Sequence, residues 1–541
     1  MTAPTDQYLL LRALVDELVR CGVRDAVTSP GSRSAPIVLS LVRDGRLRCH
    51  SQIDERTAGF FALGIAKASG RPAVLACTSG TAAAQYLPAV VEAHEAGVPL
   101  VVLTADRPPE LREVGAGQAI DQIGLYGRNA KWFFELGSHE ATPERLRWVR
   151  SLACRLVWTA EAHRAGPVHL NVPVREPLVL DEELPEDPLP GRADGAPWLA
   201  RQGARQMVSW HGKSEPRPIV VAGRTERCLP PNLAKVPVLA DPLSGARRGP
   251  FAIAHYDALL RHKPFATGHA PDVVVRVGDL PTSKPLRQWL ASLDIPQIAF
   301  RSDAVWSDPT GALSEIIDAE PETLAFESEK GWVAAWRDAD AAASRAIDET
   351  LGDALSEPRV ARELVAALPA DHTLVVASSM PVRDVETFAP VRDHPPRVLA
   401  NRGANGIDGT IATALGVAAT GMPTTVLLGD VALAHDAGSL LSMRRGGPDF
   451  TIVLLNNGGG GIFDFLPVST QTDAYEEHVA TAPQLDVPAL CAAAGIEYVL
   501  AQSLADVRAA LGRHVLVEVV TNRAENVALH RRVWDAVAAA L

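Results

Sequence analysis

Apolar residues in the first hundred positions alternate between two spacings, one suited to a helix with a single buried stripe and one to a strand buried on both faces. Leu11, Leu14, Val15 and Leu18 fall on one helical face, Gly22 ends that helix, and Asp25-Ala26-Val27-Thr28 follows as a short strand. The unit recurs. The pattern predicts a helix from Glu55 to Ala68, a strand from Ala73 to Cys77, a helix from Ala82 to Ala96 and a strand from Leu100 to Thr104. Continuously apolar strands that alternate with helices belong to parallel sheets covered on both faces.

The pattern breaks twice. Between Glu183 and Trp198 the chain turns rich in Pro, Asp and Gly, and strands resume at Pro218 to Gly223, Val238 to Asp241, Asp272 to Gly278 and Gln297 to Phe300. A helix rich in alanine and acids, from Trp332 to Leu351, leads out of this second set. Strands then return at Thr373 to Ala377, Arg397 to Ala400, Thr424 to Leu428 and Phe450 to Leu455, with a helix from His435 to Arg444 between the last two. The expected fold is α/β, with three doubly wound domains of mainly parallel sheets spanning residues 1–185, 186–350 and 351–541. A length of 541 residues suits several cores rather than one.

Composition narrows the function classes. With 47% hydrophobic and 21% charged residues the chain is globular, and a net charge of -12 argues against an extended nucleic-acid surface, so an anionic ligand must meet local cations. The six cysteines (21, 49, 77, 154, 228 and 491) form no Cys-x-x-Cys pair and have no His at zinc spacing, as in a reduced, cytoplasmic protein. Met1-Thr2-Ala3-Pro4 opens without a basic or apolar signal region, and the apolar run Ile411 to Leu428 is interrupted by Gly416, Gly421 and Pro423, so no integral membrane association is expected.

The chemistry concentrates in the last third. Gly429-Asp430 ends one predicted strand and Asn457 the next, with one helix between them, which is the spacing of a single βαβ crossover. Both side chains then emerge at the carboxyl edge of the sheet, where open parallel sheets bind ligands, and a carboxylate with an amide oxygen suits Mg²⁺ shared with phosphates. The run Gly458 to Gly461 adds peptide groups that can approach closely, giving a carbonyl to the metal or N–H groups to phosphate. No Gly-x-Gly-x-x-Gly run marks the middle domain as a dinucleotide site.

The paired arrangement resembles the thiamine-diphosphate signature, Gly-Asp-x followed after a βα unit by Asn-Asn, with Val431 where a third glycine is usual. Longer motifs, Ser29-Pro30-Gly31-Ser32-Arg33-Ser34-Ala35-Pro36, Thr104 to Leu111, Gly117-Gln118-Ala119-Ile120 and Asn401 to Gly409, resemble the 2-succinyl-5-enolpyruvyl-6-hydroxy-3-cyclohexene-1-carboxylate synthase family. The resemblance is weaker in the middle domain, at Thr282-Ser283-Lys284. It implies pyrimidine-binding, central and diphosphate-binding domains, thiamine diphosphate with Mg²⁺ or Mn²⁺, and a homodimer or homotetramer with the coenzyme across a subunit interface. It also implies the reaction, in which 2-oxoglutarate is decarboxylated on the coenzyme and the succinyl unit adds to isochorismate for menaquinone synthesis.

By the same resemblance Glu55 activates the aminopyrimidine, and Ile407 props the coenzyme in its bent form. Gly429, Asp430, Asn457 and Gly459 serve the diphosphate and its metal, and Ser379 touches the diphosphate or the adduct. Ser32, Arg33, Arg107, Gln118 and Lys284 would engage isochorismate, Arg383 and Arg402 the succinyl carboxylate, and Phe463 and Leu466 would wall the pocket. The arginines fit substrates that are dianions, because the guanidinium fork matches a carboxylate. The residue before Gln118 is Gly117 where relatives commonly have Asn, so a side-chain contact is missing there.

Taken singly, Gly429-Asp430 is an ordinary strand-to-helix turn, Glu55 a helix N-terminal acid stabilised by the dipole, and each arginine a surface ion pair. The chemical reading rests on their occurring together. Two rivals remain at this level: another thiamine-diphosphate carboligase, resembling acetolactate synthase and using pyruvate, and a non-catalytic regulator that keeps the fold.

Overall fold

The computed structural model describes residues 4–202, 207–212, 216–225, 229–230, 233–301, 306–445, 450–471 and 473–541. The opening Met1 to Ala3 and Cys228 lie outside the described residues. The chain forms two compact units, one of Met1–Gly203, Asn401–Gly421 and Gly438–Pro448, the other of Ala204–Ala400, Met422–Ala437 and Asp449–Leu541. Among the described residues no helix is long and apolar enough to cross a membrane.

In the first unit β1 (Asp25–Thr28), β2 (Arg48–Ser51), β3 (Ala73–Cys77), β4 (Leu100–Asp106), β5 (Phe133–Glu135) and β6 (Pro167–Pro173) form one sheet in the order β2-β1-β3-β4-β6-β5. Every pairing is parallel. β3, β4 and β6 are buried along their whole length, β3 being apolar throughout, while inside β4 and β6 the buried Thr104 Oγ1 lies 2.7 Å from His169 Nε2 and donates to Asn171 Oδ1 at 2.9 Å. All carboxyl ends therefore share one edge. The loops after β1, β2 and β4 carry Ser32 and Arg33, Glu55, and Arg107 respectively.

The helix Glu55–Ser69 starts at Asp54, whose carboxylate accepts the Arg56 N–H, and ends at Gly70 in the left-handed conformation. It packs backbone to backbone against the helix Thr410–Ala418. A Cβ on Gly64 would lie 2.0 Å from the Thr413 carbonyl oxygen, and one on Gly416 the same 2.0 Å from that of Phe61. The stretch from 82 to 96, expected as one helix, is two: Thr81–Gln85 and Leu87–Ala96. Pro88 sets the break, because it offers no N–H to continue the first helix.

The second unit holds two more six-stranded parallel sheets. One comprises β8 (Pro218–Ala222), β9 (Val238–Ala240), β10 (Ala252–Ile253), β11 (Val273–Val277), β12 (Gln297–Phe300) and β13 (Glu315–Ile317), ordered β10-β9-β8-β11-β12-β13. Beside it β7 (Met207–His211) and β14 (Glu320–Ala325) form a two-stranded pair. The other comprises β15 (Thr373–Val376), β16 (Arg397–Ala400), β17 (Thr424–Gly429), β18 (Thr451–Asn456), β19 (Glu497–Leu500) and β20 (Val515–Val520), ordered β16-β15-β17-β18-β20-β19. Trp336 from the helix Trp332–Leu351, Phe388, and Val533 and Val537 from Arg523–Ala540 join one buried cluster with Ile219, Leu239 and Val274, so the helices between the two sheets belong to a common core.

The chain reverses direction across this last sheet between β15 and β17, and ligands of open α/β sheets bind at such a switch point. One expectation is corrected here. The helix predicted from His435 to Arg444 is instead Asp430–His435, Ala437–Leu440 and a single 3₁₀ turn, Met443–Arg445. The first helix begins at Asp430 itself and stops at Asp436, and Gly438, a poor helix former, follows at once.

Candidate active site

Asp430 and Asn457 follow the neighbouring strands β17 and β18, whose register pairs Gly429 with Leu455. The Asp430 side chain is buried, and its two oxygens accept the Val431 N–H at 2.8 Å and the Gly459 N–H at 2.7 Å. Burial nevertheless holds its pKa above the ordinary aspartate value, with the backbone N–H groups pulling the other way. Asn457 donates from Nδ2 to Glu357 Oε1 at 2.9 Å, while its Oδ1 is buried with no hydrogen-bond partner among the described residues. An orphaned amide oxygen beside a buried carboxylate fits a cation of hard-oxygen preference.

The glycine loop fits as well. Gly459 has φ of +138°, and a Cβ there would sit 2.7 Å from the Ala480 carbonyl oxygen, so only glycine brings this peptide so close. Beyond the adjacent strand β15, Ser379 has φ of +73° and stands at the N-terminal cap position of the helix Met380–Phe388 without a capping bond from its side chain among the described residues. Ser379, Asp430 and Asn457 thus stand at the carboxyl ends of three adjacent strands.

Two predicted substrate cations also lie in this unit. Arg383 sits on the Met380–Phe388 helix and donates to the Ser379 carbonyl. Its pKa is lowered first by burial, with Arg287 adding to the effect and Glu386, Asp384 and Asp257 opposing it. Lys284 is the exposed first residue of the helix Lys284–Ser292. Phe463 is half-buried in the 3₁₀ turn Gly461–Phe465, and Leu466, which follows it, is exposed.

In the first unit Glu55 is half-buried as the first residue of its helix, and burial, reinforced by Asp54, raises its pKa. Arg33 is buried and donates to the Val174 carbonyl at 2.9 Å and to Glu176 at 3.2 Å, while its Nε has no partner among the described residues. Its pKa is lowered by burial and then by Arg107, which places two guanidinium groups within electrostatic reach of each other. Two guanidinium groups this near, with Glu176 pairing only Arg33, leave net positive charge that favours an anion between them. Ser32 is exposed beside Arg33. Gln118 adopts φ of +57° and donates from Nε2 to the Ser79 carbonyl at 3.0 Å, and Ser79 Oγ donates to the Gln118 carbonyl at 2.9 Å.

Residues 10–125 match the thiamine pyrophosphate enzyme N-terminal TPP binding domain, and residues 382–521 the corresponding C-terminal TPP binding domain. Over 97% of its length the chain is 42% identical to 97% of the 2-succinyl-5-enolpyruvyl-6-hydroxy-3-cyclohexene-1-carboxylate synthase of Geobacillus kaustophilus (strain HTA426). The chain belongs to this synthase family. It is similarly 42% identical to the Chloroflexus aurantiacus synthase, covering 98% of this chain and 96% of that one, and 41% identical to that of Myxococcus xanthus, covering 98% of both.

The departures from the synthase motifs have structural answers. Val431 is the second residue of a helix and does not adopt a left-handed conformation, so the position tolerates a β-branched side chain. At Gly117 the backbone carbonyl accepts from Arg107 Nε at 3.3 Å and Nη2 at 3.0 Å, which steers that guanidinium without a side chain.

Several buried residues that hold the predicted site residues or their loops escaped the sequence patterns. The buried Glu92 accepts the N–H groups of Gly403 at 3.0 Å and Ala404 at 2.7 Å and pairs with Lys67 at 3.0 Å, and Lys67 also donates to Asn401 at 2.8 Å. This network fixes the loop that bears Arg402 and Ile407 in the same unit as Glu55, and both loop residues are half-buried there. Glu357 was likewise missed. It is buried, accepts from Asn457 and from Thr521 Oγ1 at 3.0 Å, and burial together with Asp384 pushes its pKa up to about 7. Its only sequence signal is an N-terminal acid of a helix behind Ser356, a pattern that capping alone explains.

Proposed function

We propose that this protein decarboxylates 2-oxoglutarate and joins the succinyl unit to isochorismate, giving 2-succinyl-5-enolpyruvyl-6-hydroxy-3-cyclohexene-1-carboxylate for menaquinone synthesis, with thiamine diphosphate and Mg²⁺ or Mn²⁺. The observation that carries this reading is identity along nearly the whole chain to synthases of that name. Bound, the coenzyme would supply an acidic thiazolium carbon and an electron sink.

The protein's own residues supply proton, orientation and charge. Glu55, its pKa raised by burial, would hold a proton against the pyrimidine ring nitrogen, and Ile407 would support the bent coenzyme. Asp430, the free Asn457 Oδ1 and the Gly459 carbonyl would hold the metal, with Gly429 and Ser379 beside the diphosphate. Ser32, Arg33, Arg107, Gln118 and Lys284 would take the carboxylates and ring of isochorismate, and Arg383 and Arg402 the distal carboxylate of 2-oxoglutarate. Phe463 and Leu466 would exclude water from the pocket.

We assign residues 1–185, 186–350 and 351–541 to pyrimidine-binding, central and diphosphate-binding domains, which is supported by the confinement of each six-stranded sheet to one of these ranges. The protein would work in the cytoplasm as a homodimer or homotetramer with sites at subunit interfaces, without nucleic acid or membrane insertion. Isochorismate consumption that requires 2-oxoglutarate, thiamine diphosphate and Mg²⁺ together tests the reaction. Turnover of pyruvate in place of 2-oxoglutarate would overturn it, and light scattering that finds an active monomer would overturn the assembly.

A further inference from the structure

The middle sheet contributes one predicted substrate group, Lys284, from the exposed start of a helix, and a lysine there needs a fixed base to select a carboxylate. That base is built from a buried acid. Glu386, 2% exposed, accepts at Oε1 from the Ser283 backbone N–H at 3.0 Å and from Tyr256 Oη at 2.7 Å. Ser283 in turn donates from Oγ to Asp257 at 2.6 Å, and that same Oγ accepts the Leu286 N–H at 3.2 Å as the helix cap. The residue immediately before Lys284 is thus held at both its backbone N–H and its hydroxyl.

Glu386 lies one helical turn beyond Arg383, and the helix carrying both is secured without its carboxylate. Arg247 Nη1 donates to the carbonyls of Val385 at 3.3 Å, Glu386 at 2.8 Å and Ala389 at 3.1 Å. Arg362 Nη1 donates to the Phe388 carbonyl at 2.6 Å, and His530 Nε2 meets Asp384 at 2.9 Å. These contacts, with His255 Nδ1 at 2.9 Å from the Thr387 carbonyl, hold the Arg383 helix, whereas the approach of Ser283 to it runs through the Glu386 side chain.

We infer that Glu386 is a positioning residue that fixes Lys284 relative to Arg383, so that the acceptor's carboxylate meets its lysine at a set distance from the group that holds the donor substrate. The inference rests on the proposed role of Lys284. Burial, followed by repulsion from Asp241 and Asp257, pushes the Glu386 pKa up to about 8, so near neutral pH the group serves as a hydrogen-bond hub without lodging a full charge in the core.

The test separates the two halves of the reaction in the full-length holoenzyme. Glu386→Asp withdraws the carboxyl by one methylene while keeping an acid, and Glu386→Gln keeps both length and acceptor oxygen. The isochorismate KM should rise about tenfold in Glu386→Asp and stay within about threefold of wild type in Glu386→Gln. The decarboxylation of 2-oxoglutarate, followed with ferricyanide as electron acceptor, should change far less than the isochorismate KM in Glu386→Asp. An unchanged isochorismate KM in Glu386→Asp, or an equal loss in both halves, overturns the inference. Lys284→Ala distinguishes its failure from that of the underlying reading: if this variant keeps the wild-type isochorismate KM, Lys284 does not bind that substrate.

Discussion

Replacing Glu357 by Leu tests whether the Asn457 oxygen proposed to bind the metal is aimed by a residue outside the proposed ligand set. The Asn457 amide has two ends, and the 2.9 Å bond from Nδ2 to Glu357 leaves the buried, unpartnered Oδ1 as the end available to a cation. Leucine is close to glutamate in volume but accepts nothing, so Nδ2 and Thr521 Oγ1 both lose their acceptor. A buried donor left without a partner costs about 1–3 kcal/mol. Where that cost is relieved by rotation of the amide, the metal loses its oxygen ligand. At about 1.4 kcal/mol per tenfold, the expected loss in Mg²⁺ affinity is roughly 10- to 100-fold, the range typical of groups that orient metal ligands. The assay is calorimetric titration of Mg²⁺ into protein with thiamine diphosphate present, beside Glu357→Gln, whose amide oxygen still accepts and which should lose less than about threefold. Wild-type Mg²⁺ affinity in the folded Leu variant would refute the reasoning, because the orientation of Asn457 would then not depend on Glu357.

Three further outcomes are expected. Glu55→Gln removes the proton-holding carboxyl and should abolish turnover while Mg²⁺-dependent coenzyme binding, followed by tryptophan fluorescence, persists; retained turnover would sink the role of Glu55. Lys67→Met strands the buried Glu92 and should destabilise the protein by about 3–5 kcal/mol in urea unfolding. Glu92 has its folded pKa below the ordinary 4.5, mainly because Lys67 and the backbone N–H groups overcome burial, so its contribution is present above 4.5 and fades as pH falls through the folded value. The gap between wild type and Lys67→Met should therefore narrow only in acid. Gly416→Ala drives a Cβ to 2.0 Å from the Phe61 carbonyl oxygen, and since backbone must yield, the loss should reach about 1–3 kcal/mol or more and be read as a lower Tm.

Hydrophobic spacing was enough to place the strands Asp25–Thr28, Ala73–Cys77, Thr424–Gly429 and Thr451–Asn456, because a strand buried on both faces must be apolar throughout, and that constraint is local. The same logic put Asp430 and Asn457 at one sheet edge, since a βαβ crossover returns each strand to the same direction. Helices were less legible. The break at Tyr86 follows from Pro88, and the 430–445 stretch divides at Asp436, because within a fold capping and packing outweigh periodicity.

The residues that only the tertiary structure supplied are the buried acids. Glu92, Glu357 and Glu386 lie 311, 100 and 103 positions from the groups they hold at Gly403, Asn457 and Ser283, and each looks from its neighbours like an ordinary acid of an amphipathic helix. Sequence determines which chemistry-bearing groups end the strands, because strand ends are set by local pattern. Which distant carboxylate receives their hydrogen bonds is decided by packing, since a buried donor must find an acceptor among whatever side chains the closed fold brings within about 3 Å.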